Sequence, residues 1–411
     1  MDAPTNERAT QQRVLALFRD ELGYRYLGNW SGRAGNSNVE AGLLSQWLGR
    51  AGGGNTPAQI ARVLDVLQRE ARHPGRSVME NNRAVYQLLR YGVQIKAELG
   101  ALTETVHLID WHTPEHNDFA VAEEVTLRRG DYNSNSNSNN GGADAVEAGH
   151  ERRPDVVLYV NGLAVAVLEL KRGRVSVGEA IRQNLSNQLP EFNGWFYSTV
   201  QFVLAGNDSE GLRYGTVGTP DKFFMRWKED EADHSRLALD KYLARLCGRA
   251  RLIELMHDFV LFDGGVKKLP RVHQYFGLKA AQDHVRQRRG GILWHTQGAG
   301  KSILMVLLAR WILENNPHAR VALITDRDEL DKQIQQVFTE AGESISRSTS
   351  GHDLLRQLAL PAPRLLCSLV HKFGRRDGSG SGSGTGTGGD VDAYIAQLQA
   401  APSLTVGEVF V

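Results

Sequence analysis

Two apolar runs joined by Asn161 and Gly162 leave this chain little freedom between residues 153 and 171. Residues 156–160 and 164–170 are short, apolar and rich in Val and Leu, as strands are. Asn-Gly between such runs is a strong hairpin signal, because both central positions of a type I′ turn need positive φ. A hairpin brings the end of the second strand back beside the start of the first, so Asp155 comes near Glu169 and Lys171. Glu169 and Lys171, two residues apart, share one face of the sheet. Two carboxylates and an ammonium on a sheet edge can hold a divalent metal and orient a water, which is apparatus for cutting a phosphodiester. An Asp before a strand is also a common turn residue, and Glu-x-Lys at a strand end a common solvated face. The run at residues 163–168 brings the two readings level, since a carboxylate in so apolar a strand is costly unless paired or metal-bound.

A second motif follows at residues 290–310. Residues 292–294 read as a short buried strand, Thr296, Gln297, Gly298, Ala299 and Gly300 as a loop, and residues 302–312 as an apolar helix. A strand, a Gly-rich loop with Gly300-Lys301-Ser302, then a helix is a phosphate cradle, with backbone N–H groups and the helix N-terminus facing the phosphates. Lys301 would reach the β/γ-phosphates of ATP and Ser302 would hold Mg2+. His295 stands where the first glycine of the motif usually lies. Upstream, Gln274 in the triplet His273-Gln274-Tyr275 has a donor and an acceptor that match adenine's edge.

The rest of the chain sorts around these motifs. Helical spacing of apolar residues predicts helices over 11–22, 43–49, 57–71 and 82–91, then strands over 103–111 and 117–127, an α/β arrangement. A helix over 177–189 offers Arg182, Gln183 and Asn187 or Gln188 beside the Glu169 strand end, with Gln183 able to bond a phosphate or a base edge. A strand follows over 199–205, and helices over 235–247 and 252–260. Residues 220–231 alternate aromatic and basic side chains, which suits a nucleic-acid groove but more often a partly buried strand. The basic stretch 264–271 is the expected boundary between residues 1–263 and 264–411. Beyond it, a strand over 320–325, a helix over 333–340 and strands over 364–370 and 404–411 predict a parallel nucleotide-binding sheet. The Asn/Ser-rich residues 133–142 and Gly-rich residues 378–389 cannot bury apolar surface and are expected to be loops. No apolar run is long enough to span a bilayer and no secretory signal is apparent, so a cytoplasmic protein without membrane partners is expected. Cys247 and Cys367 lie far apart with no neighbours at metal-ligand spacing. A net charge of +1 confines any nucleic-acid surface to a local patch.

In order along the chain, Leu22-Gly23-Tyr24, Arg153-Pro154-Asp155, Asn161-Gly162, Glu169-Leu170-Lys171, residues 182–188, residues 205–215, His273-Gln274-Tyr275 and residues 295–302 resemble the N-terminal part of the restriction (R) subunit of type I restriction-modification enzymes. The resemblance covers about residues 10–411. It implies a PD-(D/E)xK nuclease-like domain followed by an incomplete RecA-like P-loop domain, the first lobe of a superfamily-2 helicase-type motor. It further implies that Asp155 and Glu169 hold Mg2+, that Lys171 stands beside the attacking water, and that Gln183 belongs to the motif of the following helix. The tyrosine often found four residues later is Asn187 here. The matched P-loop and Gln274 imply ATP binding. The implied function is Mg2+-dependent cleavage of double-stranded DNA, coupled in the full enzyme to ATP-driven translocation, with separate modification (methyltransferase) and specificity subunits as partners. No Asp-Glu-x-His box is present, so a truncated chain that does not turn over ATP is expected. Two rivals stand beside this reading: a single-chain or type III-like nuclease-motor protein, and a non-catalytic DNA-binding remnant.

Overall fold

The computed structural model describes residues 6–50, 54–96, 102–128, 151–326, 344–369 and 407–411, with residues 332, 334, 335, 338 and 339 between. The low-complexity segments 133–142 and 378–389, and much of the helix expected over 333–340, lie outside the described residues. The chain divides into one unit of residues up to 260 with 266–272, and a second of 261–265 with 273–411.

The first unit opens with helices. α1 (Glu7–Ala16) starts on Asn6, whose side chain accepts from the Arg8 N–H, and continues into a wider turn over Leu17–Glu21. α2 (Ala41–Leu48), α3 (Pro57–Ala71) and α4 (Val78–Tyr91) follow. A capping box of Thr56 with Gln59 starts α3, and one of Ser77 with Glu80 starts α4, so α4 begins ahead of the apolar spacing expected from residue 82. Gly92, at φ +84°, ends α4.

Strands β1 (Arg25–Asn29), β2 (Val93–Lys96), β3 (Thr103–Val106), β4 (Phe119–Glu123), β5 (Val156–Val160), β6 (Leu163–Leu170), β7 (Phe202–Asn207), β8 (Gly211–Gly215) and β9 (Met225–Arg226) follow in chain order. β2 and β3 pair only with each other, and the other seven form one mixed sheet in the order β1-β4-β5-β6-β7-β8-β9. β5 and β6 occupy its middle, and all of their residues are buried. They are antiparallel, joined by Asn161 at φ +54° and Gly162 at φ +83°, the positive pair a type I′ turn requires. β6 and β7 are parallel, and α5 (Val177–Asn187) makes the crossover with Ala180 and Ile181 packed against Ala205. α6 (Ala238–Cys247) and α7 (Arg249–Glu254) close the unit with a second wide turn over Leu255–Phe259.

Residues 220–231 do not form a continuous strand: Asp221–Phe223 is a 3-10 turn, β9 has two residues, Trp227 is fully buried and Phe223 is exposed. The stretch expected as a basic linker carries short strands, β10 (Leu261–Asp263) reaching into its approach and β11 (Val266–Lys268) within it. Lys267 is buried there and donates to Asn82 Oδ1 at 2.8 Å and Gln201 Oε1 at 2.5 Å, while burial pushes its pKa well down.

The second unit holds α8 (Val272–Arg286), α9 (Lys301–Asn315) and a parallel sheet. β12 (Ala319–Thr325), β13 (Ser346–Arg347), β14 (Leu365–Leu369) and β15 (Glu408–Phe410) lie in the order β13-β14-β12-β15, and every pairing is parallel. The buried strand expected over 292–294 is not there. Ile292 is 89% and Trp294 90% exposed, and the segment joins no ladder among the described residues. An apolar triplet becomes a strand only where a sheet edge accepts its N–H and C=O groups, and here β12 pairs on both sides with β14 and β15.

Candidate active site

The hairpin register, with Val156 opposite Leu168, sets Asp155 beside Glu169. Asp155 Oδ2 accepts from the Leu170 N–H at 2.6 Å, so the acid is tied to the end of the neighbouring strand. The Lys171 N–H extends the β6–β7 ladder by one rung to Gly206 O at 3.0 Å, while its ammonium lies 3.8 Å from Glu7. A cleft of about 780 Å³ opens over this end of the sheet, lined in part by Glu7, Gln11, Glu124, Asp155, Lys171 and Gln183. A larger hollow of about 860 Å³ around Trp47, Asp110 and His116 contains none of the three central residues.

Glu169 is fully buried behind the cleft. Gln183 Nε2 donates to its Oε2 at 2.7 Å and Asn187 Nδ2 to its Oε1 at 3.1 Å. Gln183 was expected to reach a phosphate or base edge, yet its amide nitrogen holds the carboxylate. Burial first, then the neighbouring Asp155, push the Glu169 carboxyl well above the usual range, with Lys171 pulling the other way. Burial likewise pushes Asp155 up to about 6, against the Leu170 N–H and the Lys171 charge. Glu7 adds a further negative charge felt by both acids.

Three carboxylates thus face one ammonium, and the hydrogen bonds on Glu169 and Asp155 come from neutral donors. Negative charge is left over, and a divalent cation is the complement of such a set. Among the described residues no cluster of three or more His, Cys, Asp or Glu side chains is arranged as a metal cage. Asp155, Glu169, Lys171 and Gln183 are brought together. The sequence reading set Asn187 beside the Glu169 strand end but gave no place there to Glu7 or Gln11. Gln11 Nε2 donates to Asp155 O at 3.2 Å and Glu124 Oε1 at 3.0 Å. Asn187 was legible, one helical turn after Gln183. Glu7 and Gln11 carried no signal, because only tertiary packing lays α1 against the hairpin.

In the second unit, Thr296, Gln297, Gly298, Ala299 and Gly300 turn tightly ahead of α9, with Gly298 at φ +76° and Gly300 at φ +80°. Lys301 opens the helix and folds back, donating to His295 O at 3.1 Å and Thr296 O at 3.2 Å. Ser302 is half-buried in the first helical turn. Gln274 is buried and donates to Ala299 O at 2.9 Å, so it braces the loop from behind. A Cβ on Gly300 would run into the Gln274 amide.

Among the described residues, no helix is long and apolar enough to cross a membrane. Residues 4–223 match the family model for the type I restriction enzyme R protein N terminus, and residues 273–401 that for SWI2/SNF2 ATPases. The chain is similar to the HindI type I restriction enzyme endonuclease subunit of Haemophilus influenzae, 28% identical over an alignment that covers 67% of this chain and 27% of that protein. It is similar too to a putative type I restriction enzyme endonuclease subunit of Methanocaldococcus jannaschii, 26% identical over 71% of this chain and 30% of that protein. A Staphylococcus aureus type I endonuclease subunit is 22% identical over 56% of this chain and 25% of its own length. The chain spans less than a third of the length of these relatives.

Proposed function

The chain belongs to the family of type I restriction enzyme R protein N termini, and from that premise we propose that its first unit is a Mg2+-dependent nuclease of the PD-(D/E)xK type that cuts double-stranded DNA. The supporting observation is the meeting of Asp155, Glu169 and Lys171 at one end of the β5–β6 hairpin, under an open cleft. Asp155 and Glu169 are the residues that would hold Mg2+. An ion held by them would supply Lewis acidity toward the scissile phosphate and toward an attacking water. Lys171, half-exposed at the cleft, sets an ammonium beside that water and beside the charge that grows on the phosphate oxygens. Gln183 keeps the Glu169 carboxylate in one orientation.

The second unit, on this reading, is an ATP-binding part of a SWI2/SNF2-type motor. Lys301 would exchange its two carbonyl partners for the β/γ-phosphates, Ser302 would hold the accompanying Mg2+, and the loop N–H groups would line the phosphates. Gln274 fixes the shape of the loop through Ala299 and would read adenine with its carbonyl oxygen. In the longer proteins of the family, ATP-driven movement along DNA and the modification and specificity subunits would complete the system.

Nicking of a supercoiled plasmid by the whole chain with Mg2+, alone and with modification and specificity subunits added, tests the nuclease. The wild-type chain is expected to nick, and Glu169→Ala and Lys171→Ala to lose about a hundredfold or more of the rate. A wild-type chain that never cuts, with partners present, would leave the non-catalytic DNA-binding reading in its place.

A further inference from the structure

Both oxygens of Glu169 are held by uncharged donors from one helix. Gln183 takes Oε2 at 2.7 Å and Asn187 takes Oε1 at 3.1 Å. The two amides lie four residues apart on α5, hence one above the other on the face turned to the sheet. Asn187 is 1% exposed, so no bulk water competes for its N–H. Among the described residues its own Oδ1 has no hydrogen-bond partner. Its amide nitrogen faces Glu169, and the buried Tyr197 hydroxyl lies beside the same amide.

The chemistry of the donors matters as much as their position. Each carboxylate oxygen offers two lone pairs, and the two amides occupy one on each. The carboxylate plane is thereby set, with a second lone pair left on each oxygen, and Asp155 is the charged group that Glu169 feels most. An Arg in place of either amide would orient Glu169 equally well but cancel its charge. Amides orient it and leave the charge for a cation. We propose that Asn187 is a positioning residue for the divalent-cation site, the second jaw of a two-amide clamp on Glu169. The proposal rests on the reading of Glu169 as a cation ligand.

Mn2+ binding to the whole chain, followed by the loss of the free-ion EPR signal, tests it apart from catalysis. Wild type, Glu169→Ala, Asn187→Leu and Asn187→Ser are compared, the smaller Ser serving if Leu prevents folding. Removing a group that orients a metal-binding side chain is expected to raise the Mn2+ Kd about tenfold. Nicking in the Asn187 variants should then need about tenfold more Mn2+ for half-maximal rate and recover near wild-type kcat at saturation, with KM for DNA unchanged. A residue that only fills space would lower kcat at every Mn2+ concentration. If Glu169→Ala loses Mn2+ binding while both Asn187 variants bind as wild type does, the clamp is wrong and the site stands. If Glu169→Ala binds Mn2+ like wild type, the cation site itself is wrong and the clamp goes with it.

Discussion

At the scale of single residues, the telling feature is a pair of acids whose burial works against their charge. Burial raises Asp155 to about 6 and Glu169 well above the carboxylate range. The unfolded chain releases the Asp155 proton near pH 4, whereas the metal-free native state keeps it until about 6. The native state binds more protons across that window, so Asp155 makes metal-free stability fall as pH rises from about 4 through 6. It follows that Asp155→Asn should stabilise the metal-free protein at pH 7, by on the order of 1–3 kcal/mol in a urea melt. Saturating Mg2+ should stabilise wild type and leave the variant unmoved. An Asp155→Asn protein no more stable than wild type without metal would show that the charge is balanced in some other way. Cation binding must also displace these protons, so the apparent Mg2+ Kd should tighten between pH 5 and 7, measured by calorimetry in buffers of different ionisation enthalpy. Asp155, Glu169 and Lys171 were legible in the sequence because a two-residue turn fixes which residues face each other. Glu7 was not, since nothing local ties residue 7 to residue 171.

At the scale of elements, two glycines carry the argument. Gly162 sits at φ +83°, and a Cβ there would come within 2.7 Å of Leu43 Cβ and 2.9 Å of Glu40 O. Gly162→Ala therefore combines backbone strain with a clash against α2, and should cost roughly 1–3 kcal/mol or more in a denaturant melt. Its effect on nicking should follow, because the same turn holds the register that pairs Asp155 with Glu169. Gly300 combines φ +80° with the close approach of Gln274. Gly300→Ala should abolish binding of a fluorescent ATP analogue while leaving the melting of the first unit unchanged. Other elements moved from their expected places for reasons that can be named. α4 starts at Val78 because Ser77 and Glu80 cap it, a Ser-x-x-Glu signal present in the sequence and outweighed there by apolar spacing. Residues 292–294 failed as a strand because apolar character says nothing about whether a neighbouring edge is free.

At the scale of the whole molecule, the two proposed sites lie in separate units of one chain. Lys301→Ala should therefore weaken nucleotide binding and leave Mn2+ affinity at the Glu169 site within about twofold, since sites without shared partners behave additively. A large change in Mn2+ affinity would reveal coupling between them. The family match rests on both the nuclease and the ATPase stretches, while the chain spans less than a third of its relatives. What the sequence by itself determined is short-range: a turn that needs positive φ, an apolar strand that isolates one carboxylate, a glycine loop before a helix. Each depends on bonds among residues close in the chain, so spacing is enough to read it. Only the tertiary structure decided which distant groups complete the site. Glu7 reaches Lys171 because α1 packs against the sheet, and Glu169 is wholly enclosed because α5 lies over β6 and β7. Those outcomes depend on how apolar faces share one core, a contest among all segments at once that no local pattern records.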